Sequence, residues 1–216
     1  MNWKLNVRGA FLLAVFVLFS GQAFGQSPDA SALVKRLEEK YEGATLRAEF
    51  TQTMSSAYSD LNESFSGTLL LQGPRYRVET RRQTLVTDGD VTWIYNADDN
   101  QVLINQNDPS EEGFAIDRLF SDYSERFTVG AVQTEAIAGR QHYVLDLKPR
   151  DPASFFERVT VWMRGDDSVI SRIRVVDQNE TTMLFDLKNV TFEPDLEDSA
   201  FRFDPPSGAE VIDLRS

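Results

Sequence analysis

The sequence predicts a mainly β, α+β fold: one antiparallel sheet with two apolar-faced helices laid across its greasy side. Three observations predict it. Apolar and polar residues alternate with a period of two through most of the chain, as half-buried strands require. Short turn sequences such as Asp88-Gly89 punctuate these stretches at hairpin spacing. Only two segments carry the helical period, and a sheet with one apolar face must cover that face.

The first residues stand outside this scheme. Lys4 and Arg8 precede an apolar run from Ala10 to Phe19, and a small-residue stretch ends at Ala23-Phe24-Gly25. That is the layout of a secretory signal peptide, with cleavage expected before Gln26. The run is about half of the ~20 residues needed to span a bilayer. Residues 1–25 are therefore read as signal peptide and residues 26–216 as a single domain. Removing Lys4 and Arg8 takes the formal net charge from −12 to −14, which disfavours nucleic acid and anionic lipid surfaces as partners. The chain has no cysteine. It forms no disulfide and has no site for N-terminal lipidation, so it is expected to stay soluble after export.

The first helix is expected from Ser27 as N-cap and Pro28 as first residue to a stop at Gly43, with Leu33, Val34, Leu37 and Tyr41 on one face. Strands follow. Leu46, Ala48 and Phe50 alternate with Arg47, Glu49 and Thr51. Phe65, Gly67, Leu69 and Leu71 form the next apolar row, and Tyr76 and Val78 a third, with Arg75, Arg77 and Glu79 on the other side. A hairpin joins Leu85-Val86 to Val91–Tyr95 through Asp88-Gly89, and turns are expected at Asp98–Asn100 and Gly165–Asp167. Asn105–Glu112 reads as polar loop. Between Gly113 and Tyr123, residues Ile116, Leu119, Phe120 and Tyr123 fall at i, i+3, i+4, i+7 and predict one continuous amphipathic helix. Met183, Phe185 and Leu187 alternate in a late strand.

Catalytic and metal-binding patterns do not emerge. His142 is the one histidine and is expected at the surface or on an edge strand; a zinc site needs several His or Cys ligands. Neither a nucleophile elbow nor a phosphate-cradling glycine loop occurs. Asp88 and Asp90 flank a turn glycine and read as turn residues, because no acidic ladder with a closing Glu follows them. The chain is read as a non-enzyme without cofactor or metal.

Four segments, in order, carry a resemblance to a known family. Leu46 to Thr53 (LRAEFTQT) looks like a first strand with a Phe-Thr-Gln core. Gly67 to Glu79 (GTLLLQGPRYRVE) is similar to a G-x-L-x-L-x-R-P-x-x-F-R-W run. Leu85 to Asn96 (LVTDGDVTWIYN) is similar to a V-S-D-G-x-x-x-W-x-Y hairpin, and Phe203 to Asp213 (FDPPSGAEVID) to a closing F-x-P-P-x-G-x-x-V. Together they resemble the LolA family of periplasmic outer-membrane lipoprotein carriers, over about Leu33 to Asp213. The resemblance implies a strongly curved sheet forming an incomplete β-barrel, closed by a helical lid over an apolar cavity. It also implies periplasmic location, acylated lipoproteins as cargo, an inner-membrane lipoprotein-releasing complex and an outer-membrane receptor as partners, and a monomer. One position departs: the family's Arg before the Pro, which helps latch the lid, is Gly73 here. Arg75 and Arg77 are poor substitutes, since alternation aims both away from the side of Tyr76 and Val78.

On this reading Phe50, Leu69, Leu71, Tyr76 and Val78 line the cavity from the sheet, and Ile116, Leu119 and Phe120 from the lid. Trp93, Met183 and Phe185 are further lining positions. A carrier of another amphiphile, a glycolipid or other lipid, on the same fold is the alternative.

Overall fold

The period-two stretches all become strands, and they join one sheet. The computed structural model describes residues 29–107, 116–193 and 196–215; the expected signal peptide, Ser27 and Pro28 lie outside them. The strands are β1 (Thr45–Ser56), β2 (Asn62–Gln72), β3 (Arg75–Thr80), β4 (Gln83–Thr87), β5 (Val91–Asn96), β6 (Gln101–Gln106), β7 (Phe127–Ile137), β8 (Arg140–Pro149), β9 (Phe156–Arg164), β10 (Ile170–Asp177), β11 (Thr181–Glu193) and β12 (Glu210–Asp213). Their order across the sheet is β12-β6-β5-β4-β3-β2-β1-β11-β10-β9-β8-β7. All pairs are antiparallel except β12 with β6. Consecutive strands thus pair as hairpins from β1 to β6 and from β7 to β11, β1 and β11 meet in the middle, and the β6–β7 and β11–β12 connections join strands that are not neighbours in the sheet. β7 and β12 remain edges, so the curved sheet does not close into a barrel.

The turns follow from local chemistry. Asp88 Oδ1 accepts the backbone N–H groups of Asp90 and Val91 at 3.0 and 2.8 Å, which makes the carboxylate a turn brace. Between β2 and β3, Gly73 has φ +55° and Pro74 follows, the residue order a II′-type hairpin needs. Gly67 is constrained by space: a Cβ there would lie 2.2 Å from the Glu79 carbonyl oxygen and 3.0 Å from the Phe50 ring. Only hydrogen fits where β3 approaches β2 this closely.

Helix α1 (Ala30–Tyr41) buries Leu33, Val34, Leu37 and Tyr41, as the helical spacing predicts. Its start differs from expectation. Asp29 is the N-cap, its Oδ1 accepting the Ser31 N–H at 3.0 Å, so the helix begins two residues beyond Pro28. Gly43, at φ +64°, ends it as expected.

The second predicted helix is corrected more deeply. The described part holds a 3-10 turn, Asp117–Leu119, and a single α-helical turn, α2 (Tyr123–Arg126). Asp122 between them takes φ +56° and breaks the run. The apolar period survives the break: Leu119, Phe120 and Tyr123 are all buried and Ile116 packs against them. Periodicity reported which side chains face inward, and a backbone of two short turns meets that demand as well as one helix. The expected polar loop at Asn105–Glu112 also starts late, because Asn105 and Gln106 still belong to β6.

The sheet buries both faces in its first half. The inner face, with α1 and the 116–126 segment, forms the main core. On the outer face Val86, Val102 and Ile104 are buried beneath a C-terminal strap, the 3-10 turn Asp198–Phe201 and the residues after it. Phe201 is fully buried, and Phe203 stacks on Tyr95 with ring centroids 5.6 Å apart. Arg75 and Arg77 fasten this strap. Arg75 Nη1 donates to Asp198 Oδ1 at 2.6 Å with its guanidinium over the Phe201 ring, and Arg77 Nη1 donates to the Arg202 carbonyl at 3.2 Å. Both point away from the Tyr76 side, as alternation requires.

His142 corrects a further expectation. It lies on β8, an interior strand, and is only 3% exposed. Its Nδ1–H donates to the Arg140 carbonyl at 3.0 Å. The sequence gives a lone His in a strand but not which neighbours will cover it.

Candidate functional site

The inner face does not fill the space beneath its cover. A cavity of about 300 Å³ remains between the sheet and residues 116–120. Phe50, Gln52 and Met54 from β1 line it, with Phe65 and Leu69 from β2, Val78 and Thr80 from β3, and Gln83 and Leu85 from β4. Ile173 comes from β10, and Met183, Phe185 and Leu187 from β11. Ile116, Leu119 and Phe120 form the roof.

Sheet register explains the lining. Gln52 stands between Phe65 on one side and Phe185 on the other, and Phe185 in turn faces Ile173. Directly paired residues point to the same face, so one row crosses β2, β1, β11 and β10. Phe50 lies opposite Gly67 and Leu187. The missing side chain at Gly67 lets the Phe50 ring sit over the strand, edge-on to Phe65 at 6.3 Å. Exposure rises along the strands, from 4% at Leu69 and 7% at Phe50 to 38% at Phe65. The cavity therefore opens toward the β1–β2 hairpin tip, where Thr80 and Gln83 put polar groups at an otherwise apolar wall.

The roof is held by specific contacts. Tyr41 on α1 packs against Phe120 with ring centroids 5.6 Å apart. Glu38 Oε1 accepts the Ser124 N–H at 2.8 Å, and the buried Tyr123 hydroxyl donates to the Leu119 carbonyl. Two titratable groups at the roof, Tyr76 and Asp117, are displaced. Burial pushes the Tyr76 phenol up to about 12, helped by the nearby Asp117 carboxylate. Burial also raises the Asp117 carboxyl, against the pull of local backbone N–H groups and Arg118. Both shifts follow from desolvation of side chains packed beside the roof.

Of the lining positions expected from sequence, Phe50, Leu69, Val78, Ile116, Leu119, Phe120, Met183 and Phe185 border the cavity. Leu71 and Tyr76 share the inner core but lie beyond the cavity wall. Trp93 does not join them: it pairs with Val86 and Ile104, the outer face. Sequence reasoning missed Gln52, Met54, Phe65, Thr80, Gln83, Leu85, Ile173 and Leu187 as lining residues. The signal for Gln52 and Met54 was present, since they continue the Phe50 row at period two.

An open, almost wholly antiparallel sheet whose inner face and short helical roof border an apolar cavity defines a class of fold built around an internal pocket. The chain belongs to a particular family within it. Residues 42–204 match the family model described as outer membrane lipoprotein carrier protein LolA. An outer-membrane lipoprotein carrier protein of Legionella pneumophila (strain Lens) is 28% identical over 204 residues, covering 93% of this chain and 96% of its own. One of Pasteurella multocida is 26% identical over 206 residues, covering 94% and 95%. Among solved structures, an uncharacterized conserved protein from Thermus thermophilus superposes with a TM-score of 0.55 at 12% identity, covering 85% of this chain and 98% of that one; this likeness concerns the fold alone. Among the described residues no helix is long and apolar enough to cross a membrane.

Proposed function

We propose that this chain is a periplasmic carrier that takes the acyl chains of lipoproteins into the cavity under residues 116–120 and moves them from the inner to the outer membrane. The observation that carries this reading is the apolar cavity itself, walled by Phe50, Leu69, Val78, Met183 and Phe185 and roofed by Leu119 and Phe120. The need is energetic. Each exposed CH₂ costs roughly 0.8 kcal/mol in water, so two or three long acyl chains amount to tens of kcal/mol. A cavity that shields them removes most of that barrier to crossing an aqueous compartment. Aromatic and Met side chains suit mobile chains that present no fixed shape. Loading and unloading would pass through an inner-membrane releasing complex and an outer-membrane receptor.

The volume favours a second reading. About 300 Å³ is at the lower end of the roughly 300–1,000 Å³ range of small-ligand pockets. It suits a single-chain amphiphile directly, whereas a multiply acylated cargo requires the roof to swing outward.

The test is release of a lipoprotein from spheroplasts into solution by the purified chain. Leu69→Glu and Phe120→Glu should abolish capture while far-ultraviolet circular dichroism still reports an intact sheet. Undiminished capture by both variants would rule out this cavity. Mass spectrometry of the co-purified ligand separates lipoprotein from other amphiphiles.

A further inference from the structure

A second cavity, also about 300 Å³, adjoins the 116–126 segment and has opposite character. Arg118, Arg126 and Arg150 line it, with Ser154 and the rings of Phe127 and Phe155. Its two carboxylates are Glu125 and Asp151, and Asp151 Oδ1 is engaged by the Ala153 N–H at 2.9 Å.

The guanidinium of Arg126 is held in place rather than free to turn outward. Its Nη1 donates to the Arg118 carbonyl at 2.8 Å, and it lies over the Phe127 ring at 5.4 Å. The Arg150 backbone N–H donates to the Arg126 carbonyl at 2.9 Å, which fixes the spacing of the two backbone segments that carry these side chains. Neither Arg126 nor Arg150 forms an ion pair among the described residues. In a chain with 34 acidic residues against 22 basic ones, partners for arginine are abundant, and arginines elsewhere on the sheet find them at 2.6–2.7 Å. Burial, and then the neighbouring Arg118 charge, pull the Arg126 pKa below its ordinary value, while Asp122 and Asp117 act the other way.

Concentrated guanidinium charge in a concave, partly desolvated pocket matches one ligand chemistry. The planar fork donates two parallel hydrogen bonds to a tetrahedral oxyanion. We propose that this pocket binds a phosphate group, either free inorganic phosphate or the phosphate of a phospholipid headgroup, through the guanidinium groups of Arg126 and Arg150 in the field of Arg118. Arg118 precedes Leu119 and Phe120 in the roof of the apolar cavity, so occupancy here would brace the turn that carries them.

The experiment titrates inorganic phosphate into the mature chain at fixed ionic strength, read by calorimetry and by thermal shift. Saturable binding is expected, weakened at least tenfold in Arg126→Gln and in Arg150→Gln and unchanged in Arg82→Gln, whose partner Asp98 lies outside the pocket. Arg150 is exposed, so its variant carries the test if Arg126→Gln fails to fold. A parallel arm sediments the chain with phosphatidylglycerol and with phosphatidylcholine vesicles. Arg150-dependent vesicle binding identifies a headgroup as the source; Arg150-dependent phosphate binding alone identifies the free ion. Indistinguishable behaviour of wild type and Arg150→Gln in both arms overturns the proposal.

Discussion

The hydroxyl oxygen of Tyr41 accepts a hydrogen bond from the backbone N–H of Ile170 at 2.9 Å, pinning the last turn of α1 to the start of β10. The same ring touches Phe120 in the roof and Phe192 at the end of β11. Tyr41 therefore joins helix, roof and sheet at one point. Tyr41→Phe keeps the ring and leaves a fully buried N–H unsatisfied, at a cost of about 1–3 kcal/mol. A chain of this size should lose on the order of 2–12 °C in Tm, measurable by a circular dichroism melt. An unchanged Tm would show that the N–H finds another acceptor.

Asp117 gives a pH signature. Burial raises its pKa above the ordinary 3.8, so the folded state favours the protonated carboxyl. Its contribution to stability is full below that ordinary value and is withdrawn as pH climbs through the raised one. Asp117→Asn removes the penalty. The variant should melt higher than wild type at pH 7, and the difference should shrink on acidification and vanish below about pH 3.8. A difference independent of pH would assign the effect to packing instead.

Gly73 bears on the latch. The family pattern places Arg at this position, but here the backbone has φ +55°, and a Cβ would meet nothing within 4 Å. Gly73→Arg should therefore cost roughly 1–2 kcal/mol in backbone strain without touching the roof. Its Tm should fall while uptake of a fluorescent fatty-acid analogue is unaltered. Slower exchange of that analogue would mean that the new side chain does reach the roof.

Arg75 separates the strap from the cavity. Its ion pair with Asp198 and its stacking on Phe201 lie on the outer face. An exposed pair of this kind is worth about 0–1 kcal/mol, and the ring contact adds roughly 0.5–1 kcal/mol. Arg75→Gln should speed limited proteolysis near residues 196–205 and leave fatty-acid uptake intact. Impaired uptake would show that strap and cavity are coupled through β3.

Strand pattern and cavity lining were legible in sequence to different depths. Leu46-Ala48-Phe50 and Met183-Phe185-Leu187 face inward as alternation demands, because a strand's side-chain period leaves no choice once one residue is buried. Trp93 shows the limit. A hairpin fixes pairing but not which face meets the core, and in β5 every residue is half-buried, so neither face stands out. The helix expected at 113–123 fails for a related reason: the inward set Ile116, Leu119 and Phe120 is the same for a helix and for a 3-10 turn followed by a kink at Asp122. That the inner face encloses space rather than filling it follows from the shape of the sheet, including the close approach at Gly67, which no local pattern encodes.

The apolar layer on the outer face has a consequence for how this molecule can change over generations. Val86, Val102 and Phe201 are fully enclosed and line no part of the inner cavity. Folding thus has an anchor that is indifferent to what the interior holds. Residues bordering the hollow are free to drift toward a bulkier, shorter or more polar guest while that anchor keeps the framework intact. On the proposed carrier reading, a change of cargo preference should accordingly need substitutions on only one surface of the same strands.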